Sequence, residues 1–454
     1  MSLSPATLAK WSSSLDNDLN TQLAASVLRT FNAEEALINR DSVVKNTTKA
    51  FNTKIDAEVG PVTNQKSSGR CWLFAATNTL RVKVAAKYKL KEFQLSQAYL
   101  FFYDKLEKSN FFLDQIIQLY EADIDSRLVQ HLLSDPISDG GQFDMFVNVV
   151  EKYGLVPHEL YPDAYSATSS RTLNFLVLTK LREFAEVLRE NLKVGKDVAE
   201  LKESMQKEVY RLLVVFLGKP PAIDAEFVWE YTDKDDKFKS LKATPRSFYK
   251  DIVGVDTTGL VSLLNDPRNK YDANITIEKL GNVVGGKTVS YLNMNIDSLS
   301  DYAVKRIQSN QPVFFGTHTP IYMDKKRGIM DESLFNYKLI DFDATQNKAS
   351  RIRYKQSLMT HAMTLTAVHL DAKGKPVRWR VENSWGKESG QEGYYVMDHE
   401  YFKQYVYQVV VERLLLSKDH QKVLKDTKNT VVLPPWDPMG ALAVFKRTHY
   451  PAMM

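Results

Sequence analysis

The chain contains a single cysteine, Cys71, so no internal disulfide can hold its fold together. Whatever architecture it adopts must rest on buried apolar surface and hydrogen bonding. With 454 residues, 44% hydrophobic and 25% charged, it has ample material for a large core. Cys71 follows Ser67-Ser68-Gly69-Arg70 and opens a stretch in which Leu73, Ala76, Leu80 and Val84 share one helical face. The thiol therefore belongs to a first helical turn, where unsatisfied N–H groups and the macrodipole favour an anion, and a lowered thiol pKa is expected. Arg70 adds positive charge if its side chain turns inward. The amide of Gln65 is placed to point at an oxyanion forming beside the sulfur.

A lone cysteine is more often a small buried hydrophobe than a nucleophile. Two later stretches reverse that weighting. Thr360–Val368 reads as an apolar, β-branched strand with His361 near its start, and Asn383 precedes a Trp385-Gly386 turn that leads into a second strand over Gly393–Met397. A nucleophile on a helix, a base on one strand and an orienting amide on the next complete a Cys–His–Asn set for acyl transfer.

Gln65 with Cys71-Trp72, His361-Ala362 and Asn383-Ser384-Trp385-Gly386 resemble the papain-type cysteine proteases. Asp139-Gly140-Gly141-Gln142, followed by Glu151–Leu155, resembles that group's substrate-cleft strand and the segment after it. Within the group, Asn64–Ala75, Gln97–Lys105, Phe314–Pro320 and Trp436–Ala443 are similar to the bleomycin hydrolase and aminopeptidase C family. The resemblance runs from about residue 10 to Ala443.

It implies an α+β, papain-like cysteine peptidase fold, a helical half plus a β-barrel-like half, with a large, mainly helical insertion. The spacing agrees with an insertion. His and Asn usually follow the cysteine by about 130–150 residues in papain-like enzymes. Here His361 and Asn383 follow by about 290 and 310. The expected organisation is an N-terminal arm wrapping the core (1–55), the helical half (56–166), an inserted layer serving subunit contact or cleft cover (167–299), the β half (300–418) and a C-terminal arm directed to the active site (419–454). Inside the insertion two helices are expected over 172–217, then strand-like pieces from Phe227 to about Tyr291.

The resemblance also implies roles. Cys71 is the nucleophile, His361 the acid and base, Asn383 its orienter, and Gln65 with the Cys71 N–H the oxyanion site. Gly140, Gly141 and Trp385 line the substrate path. In this family the chain's own end, near Ala443, meets the substrate's free amine and makes the enzyme an aminopeptidase. Peptide N-termini, bleomycin and homocysteine thiolactone are the implied substrates, and a homohexamer enclosing its sites the implied assembly. Residues 444–454 run past the point where the family ends; they obstruct the cleft, are trimmed off or displace the arm. Trimming or a misassigned gene end is expected.

No histidine pair has metal-ligand spacing with carboxylates or thiols, so no metal and no cofactor is expected. No run reaches the length of a membrane span, and the single cysteine fits a reducing, cytoplasmic setting. Net charge is only +5. Non-specific nucleic-acid binding by a ring is the alternative, since the family is implied to bind DNA; Lys325-Lys326-Arg327, the Asp233–Lys242 turns and Lys446-Arg447 would supply the charge. His369 falls on the same face as His361 if that strand is regular, and His318 is expected to be structural.

Overall fold

The computed structural model describes residues 2–440. Its centre is the Cys71–Tyr88 helix, which lies between the Gln97–Gln118 and Phe143–Tyr153 helices on one side and the His361–Leu370 and Val313–Thr317 strands on the other. Being covered from both sides, it is buried almost all round rather than along the single stripe that its period predicts. Even Asn78 and Arg81 lie in the interior. Phe143 and Phe314 meet edge to face at 5.2 Å, closing the contact between the helical and sheet layers.

One long sheet carries the other half. Its order runs Val431–Leu433, Ala273–Ile277, Ser290–Asn293, Leu260–Leu264, Val406–Glu412, Val313–Thr317, His361–Leu370, Pro376–Glu382, Tyr394–Asp398, Ile329–Met330, Met323–Asp324, with Thr53–Lys54 paired beside His361–Leu370. The topology decides where the chemistry goes. His361–Leu370 and Pro376–Glu382 are antiparallel neighbours, with Thr364 opposite Glu382. The beginning of one strand therefore lies beside the end of the next, which brings His361 to Asn383.

The sheet is not regular along its whole length. Register shifts between Leu365 and Ala367, and again at His369 and Leu370, break the strict alternation of side chains. The first shift lies between His361 and His369, so the regular strand on which the two would share a face is not present.

The Arg171–Lys193 and Ala199–Leu217 helices pack on Gln97–Gln118 and bury Val177, Leu181, Phe184 and Leu188 on one and Val209 and Leu213 on the other. Beyond them 167–299 turns to short strands, interrupted by helical turns at 245–253 and 257–259. Phe227–Thr232 and Phe238–Ala243 form a separate hairpin whose Trp229 packs on Tyr88 and Phe93. The strands between Leu260 and Asn293 instead extend the main sheet beyond Val406–Glu412, so this part of the segment is continuous with the β layer.

The N-terminal segment runs along the loop at 331–336. Asn39 N–H donates to Leu334 O at 2.8 Å, and Ser42 Oγ and Asn46 Nδ2 both donate to the buried Asp331 carboxylate. Its first two helices, Pro5–Leu15 and Leu19–Leu28, leave Leu8, Trp11, Leu15, Leu19 and Leu23 exposed.

Candidate active site

A cleft of about 2590 Å³ opens over the junction of the two layers. Its lining takes in Asn64 to Gly69 just before Cys71, Thr360 just before His361, and Ser138, Asp139 and Trp385. Cys71 is the first residue of its helix and is 1% exposed; His361 opens its strand and is 3% exposed. The backbone N–H of Ala362 reaches the Cys71 sulfur, so the strand start and the helix start are in direct contact.

His361 Nε2 and Asn383 Oδ1 are 2.8 Å apart. An amide oxygen only accepts, so Nε2 carries the proton and Nδ1 is the nitrogen with a lone pair. Trp385 stacks on the imidazole with ring centres 4.8 Å apart and 27° between planes, screening this bond from water. Asn383 Oδ1 also accepts the Ser384 N–H at 2.8 Å, which fixes the amide's orientation.

Gln65 is tied to the same turn. Its backbone N–H donates to Ser384 O at 2.8 Å, and Ser384 Oγ donates to its side-chain Oε1 at 2.7 Å. With Oε1 engaged, the NH₂ end points the other way, and one of its hydrogens goes to Ser68 O at 2.7 Å.

Beneath the site, Arg81 Nη2 and Glu382 Oε1 are 2.5 Å apart, and Asn78 Nδ2 donates to the same oxygen at 3.0 Å. Both donors come from the nucleophile helix, and Glu382 immediately precedes Asn383. On the opposite wall, Asp139 Oδ2 accepts the Gly69 N–H at 3.1 Å, while its Oδ1 lies 2.6 Å from Lys105 Nζ. Burial raises the Asp139 carboxyl, but Lys105 and the hydrogen bonds from Ser170 and Gly69 outweigh it and hold the group below the usual range.

Gly140 and Gly141 adjoin this wall. Gly140 N–H donates to Ser138 Oγ and Gly140 O accepts from Lys108 Nζ, so both its backbone groups are engaged within the chain. Gly141 lies against the Trp72 indole, and a Cβ there would meet the ring at 2.6 Å. Trp72 Nε1 in turn donates to Asp139 O at 2.7 Å.

Two electrostatic expectations are corrected. Burial pushes the Cys71 thiol up to about 12, against the opposing pull of the Ala362, Trp72 and Cys71 amides. The helix N-terminus does favour the thiolate, but desolvation is the larger effect. Arg70 supplies no activation: it is fully buried, paired with the Asp163 carboxylate at 2.6 and 3.0 Å, and donates through Nε to Ser68 Oγ. Burial likewise pushes His361 down to about 4; the Asn383 bond opposes this and the charge of Lys325 adds to it.

Glu382, Arg81 and Asn78 are contributors that motif reading passed over, while Asp139, Ser384 and Lys325 stood in recognised stretches without a role at this site. The local signal was Asn78 and Arg81 themselves, strongly polar residues in the middle of the helix that carries the apolar row Leu73, Ala76, Leu80 and Val84. His318 is buried with Nδ1 2.9 Å from Ser357 Oγ, as a structural role requires. Ala443 and residues 444–454 lie outside the described residues. The last described segment, Pro435 to Gly440, lines the same cleft, with Arg127 stacked 3.9 Å over Trp436 and Asp437 paired to Arg268 at 2.7 Å. Among the described residues no group of three His, Cys, Asp or Glu side chains is arranged to hold a metal, and no helix is long and apolar enough to cross a membrane.

The Peptidase C1-like family model matches residues 2–440. A protein from Saccharomyces cerevisiae named cysteine proteinase 1, mitochondrial, is 53% identical over 441 residues, covering 95% of this chain and 91% of its own. An aminopeptidase C from Lactococcus lactis subsp. lactis is 43% identical over 392 residues, covering 86% of this chain and 88% of its own. The crystal structure of PepW from Lactobacillus rhamnosis superposes with a TM-score of 0.94 at 39% identity, over 97% of this chain and 99% of that one. The chain belongs to the Peptidase C1-like family of papain-like cysteine peptidases, in its bleomycin hydrolase and aminopeptidase C branch, and is a cysteine-type aminopeptidase.

Proposed function

We propose that Cys71, His361 and Asn383 hydrolyse amide bonds next to a free amine through a thioester, with Gln65 and the Cys71 N–H as oxyanion donors. The observation that carries this reading is the 2.8 Å contact of His361 Nε2 with Asn383 Oδ1, which leaves Nδ1 as the base. The Cys71 sulfur attacks the carbonyl as its proton passes to Nδ1. The oxyanion forms toward the second Gln65 N–H. As it collapses, Nδ1–H protonates the departing amine; water, deprotonated by Nδ1, then cleaves the thioester and restores the thiol. Peptide N-termini, bleomycin and homocysteine thiolactone all present an acyl carbon beside a free amine, and we propose this substrate class. Trp385 shields the catalytic hydrogen bond and lines the leaving-group path.

The exposed apolar faces of the first two helices support self-association, and a homohexamer is the proposed assembly. A chain with a single cysteine and no internal disulfide fits a reducing compartment, cytosol or mitochondrial matrix alike. The lysine-rich hairpin gives the nucleic-acid alternative little support, because acids interleave with its lysines: Lys242 pairs with Glu226, and Asp235 and Asp236 of its turn face Lys89 and Lys91.

The test compares an aminoacyl-coumarin amide with its N-acetylated twin, using full-length protein, protein truncated after Ala443, and Cys71→Ala. Hydrolysis of the free-amine substrate alone, absent in Cys71→Ala, is expected. Cleavage of both substrates by the full chain means an open cleft. No cleavage by protein whose Cys71 is intact removes the proposal.

A further inference from the structure

The direction of the leaving group follows from the site. The expelled nitrogen takes its proton from His361, so the leaving portion starts beside that ring and must pass its stacking partner, Trp385, which is half-buried and lines the cleft. Lys325 Nζ sits 4.8 Å from the centre of the Trp385 ring. Its side chain is exposed, but the backbone that carries it is held in place. Lys325 lies in the tight turn between Met323–Asp324 and Ile329–Met330, where Asp324 Oδ1 accepts the Lys326 and Arg327 N–H groups at 2.8 Å each. Its own carbonyl accepts the Gly390 N–H at 2.6 Å, tying it to the loop that follows Trp385. Gly328 closes the turn at φ +69°, with its N–H on Asp324 O at 2.9 Å.

We infer that Lys325 and the Trp385 face form a subsite for a carboxylate on the leaving group, making Lys325 a specificity-determining residue for short or acidic peptides. This deepens the proposed cysteine aminopeptidase reaction and rests on it. The two 4.8 Å steps laid end to end put Nζ no more than about 10 Å from the His361 ring centre. A chain residue spans about 3.3–3.6 Å, so a carboxylate one to three residues beyond the scissile nitrogen falls within reach. Asp324 is committed to its own turn and pairs with Arg327, so it does not compete for the cation. Glu34, on the Ala33–Ala36 helix, lines the same rim and is the carboxylate whose field Lys325 feels. The cation also disfavours the imidazolium form of His361. A bound carboxylate offsets that charge at the moment His361 must take a proton, so binding and chemistry gain together.

The experiment uses full-length enzyme, titrated for active sites with iodoacetamide, and three tripeptides sharing an N-terminal Ala: Ala-Ala-Ala as the free acid, its C-terminal amide, and Ala-Glu-Ala amide. In the unaltered enzyme kcat/KM for at least one of the two acidic substrates should exceed that of the neutral amide by about fivefold, as expected for a partly exposed ion pair. Preference for the free acid alone identifies the C-terminal carboxylate as the ligand, and preference for the Glu peptide alone a side chain. Lys325→Ala should bring these ratios to about one, and Lys325→Glu should invert them. Each ratio is taken within one variant, so partial loss of folded protein cancels. Unchanged ratios in Lys325→Ala, or ratios of one in the unaltered enzyme, overturn the subsite. If no peptide is hydrolysed, the reaction reading fails instead, and the subsite is judged by protection: Ala-Ala acid should slow alkylation of Cys71 more than Ala-Ala amide does, and equal protection overturns it.

Discussion

Arg81 on the nucleophile helix and Glu382 on the strand that ends at Asn383 form a buried ion pair at 2.5 Å. It fixes the distance between the element carrying Cys71 and the one carrying the orienting amide. Burial raises the Glu382 carboxyl while Arg81 opposes that shift, so Glu382 depends on Arg81 to stay charged. Removing one side by Arg81→Met or Glu382→Leu should cost about 3–5 kcal/mol, because an uncompensated charge or an acid forced to take a proton is left inside. The double variant should cost clearly less than the sum. Urea unfolding of the four proteins gives the coupling, and additive costs would show that the pair does not act as a unit.

Gln65 is held at both ends of its amide, by Ser384 Oγ and Ser68 O, so its remaining N–H is already oriented before substrate arrives. A donor fixed in advance acts on the developing oxyanion more than on the ground-state carbonyl. Gln65→Ala should lower kcat by about 10²–10³ with little change in KM. Ser384→Ala, which frees the amide to rotate, should show a smaller loss of the same kind. A loss confined to KM in either variant would assign Gln65 to substrate binding instead.

Much of this site can be read from the chain because acyl transfer demands particular residue types on particular elements. Cys71 before an apolar helix, His361 at a strand start and Asn383 before a Trp-Gly turn are local patterns. The remainder is tertiary. Arg81 meets Glu382 across 301 residues, and no local pattern pairs them. The Gly140-Gly141 pair is visible as a place of close approach, but the neighbour that Gly141 approaches is the Trp72 indole, set by packing. The thiol expectation went wrong for the same reason. A helix N-terminus is visible in sequence, whereas desolvation depends on everything that later covers the sulfur. The strand-rich half of 167–299 shows the same limit: its short strands are recognisable, but their joining the main sheet depends on Val406–Glu412, more than a hundred residues on.

Gly141 supports Trp72 from below, where a methyl group would fall 2.6–2.7 Å from three indole carbons. Trp72 is fully buried and donates to Asp139 O, so it has little room to withdraw. Gly141→Ala should therefore destabilise the fold by about 1–3 kcal/mol, the usual range for overpacking. Because Trp72 adjoins Cys71, kcat should fall further than the loss of folded protein explains. Active-site titration beside urea unfolding separates the two effects, and a variant with unaltered stability would show that the indole can shift.

The last prediction concerns the proton shared by Cys71 and His361. Burial pushes the thiol up to about 12 and the imidazole down to about 4, so between those limits the pair holds one titratable proton, on sulfur or on Nδ1. The reactive thiolate–imidazolium form has the same proton count as the neutral form, and its fraction does not depend on pH inside that window. Alkylation by iodoacetamide, a neutral reagent, should therefore stay flat from pH 8 down to about 5 and fall only as a second proton is added near 4. Asn383→Ala removes a bond that favours the imidazolium, so the acid limb should move lower; Lys325→Ala removes a cation that disfavours it, and the limb should move higher. Stability has its own sign: the folded state binds fewer protons at His361 than the unfolded chain, whose imidazole titrates near 6.5, so stability is lost as pH falls from there toward 4. Circular dichroism at each pH identifies that loss. An isolated thiol raised by burial behaves differently, losing about tenfold in rate for every pH unit across the whole range. That slope between pH 8 and 5 in the unaltered enzyme would show that sulfur titrates alone, and that His361 does not hold its proton.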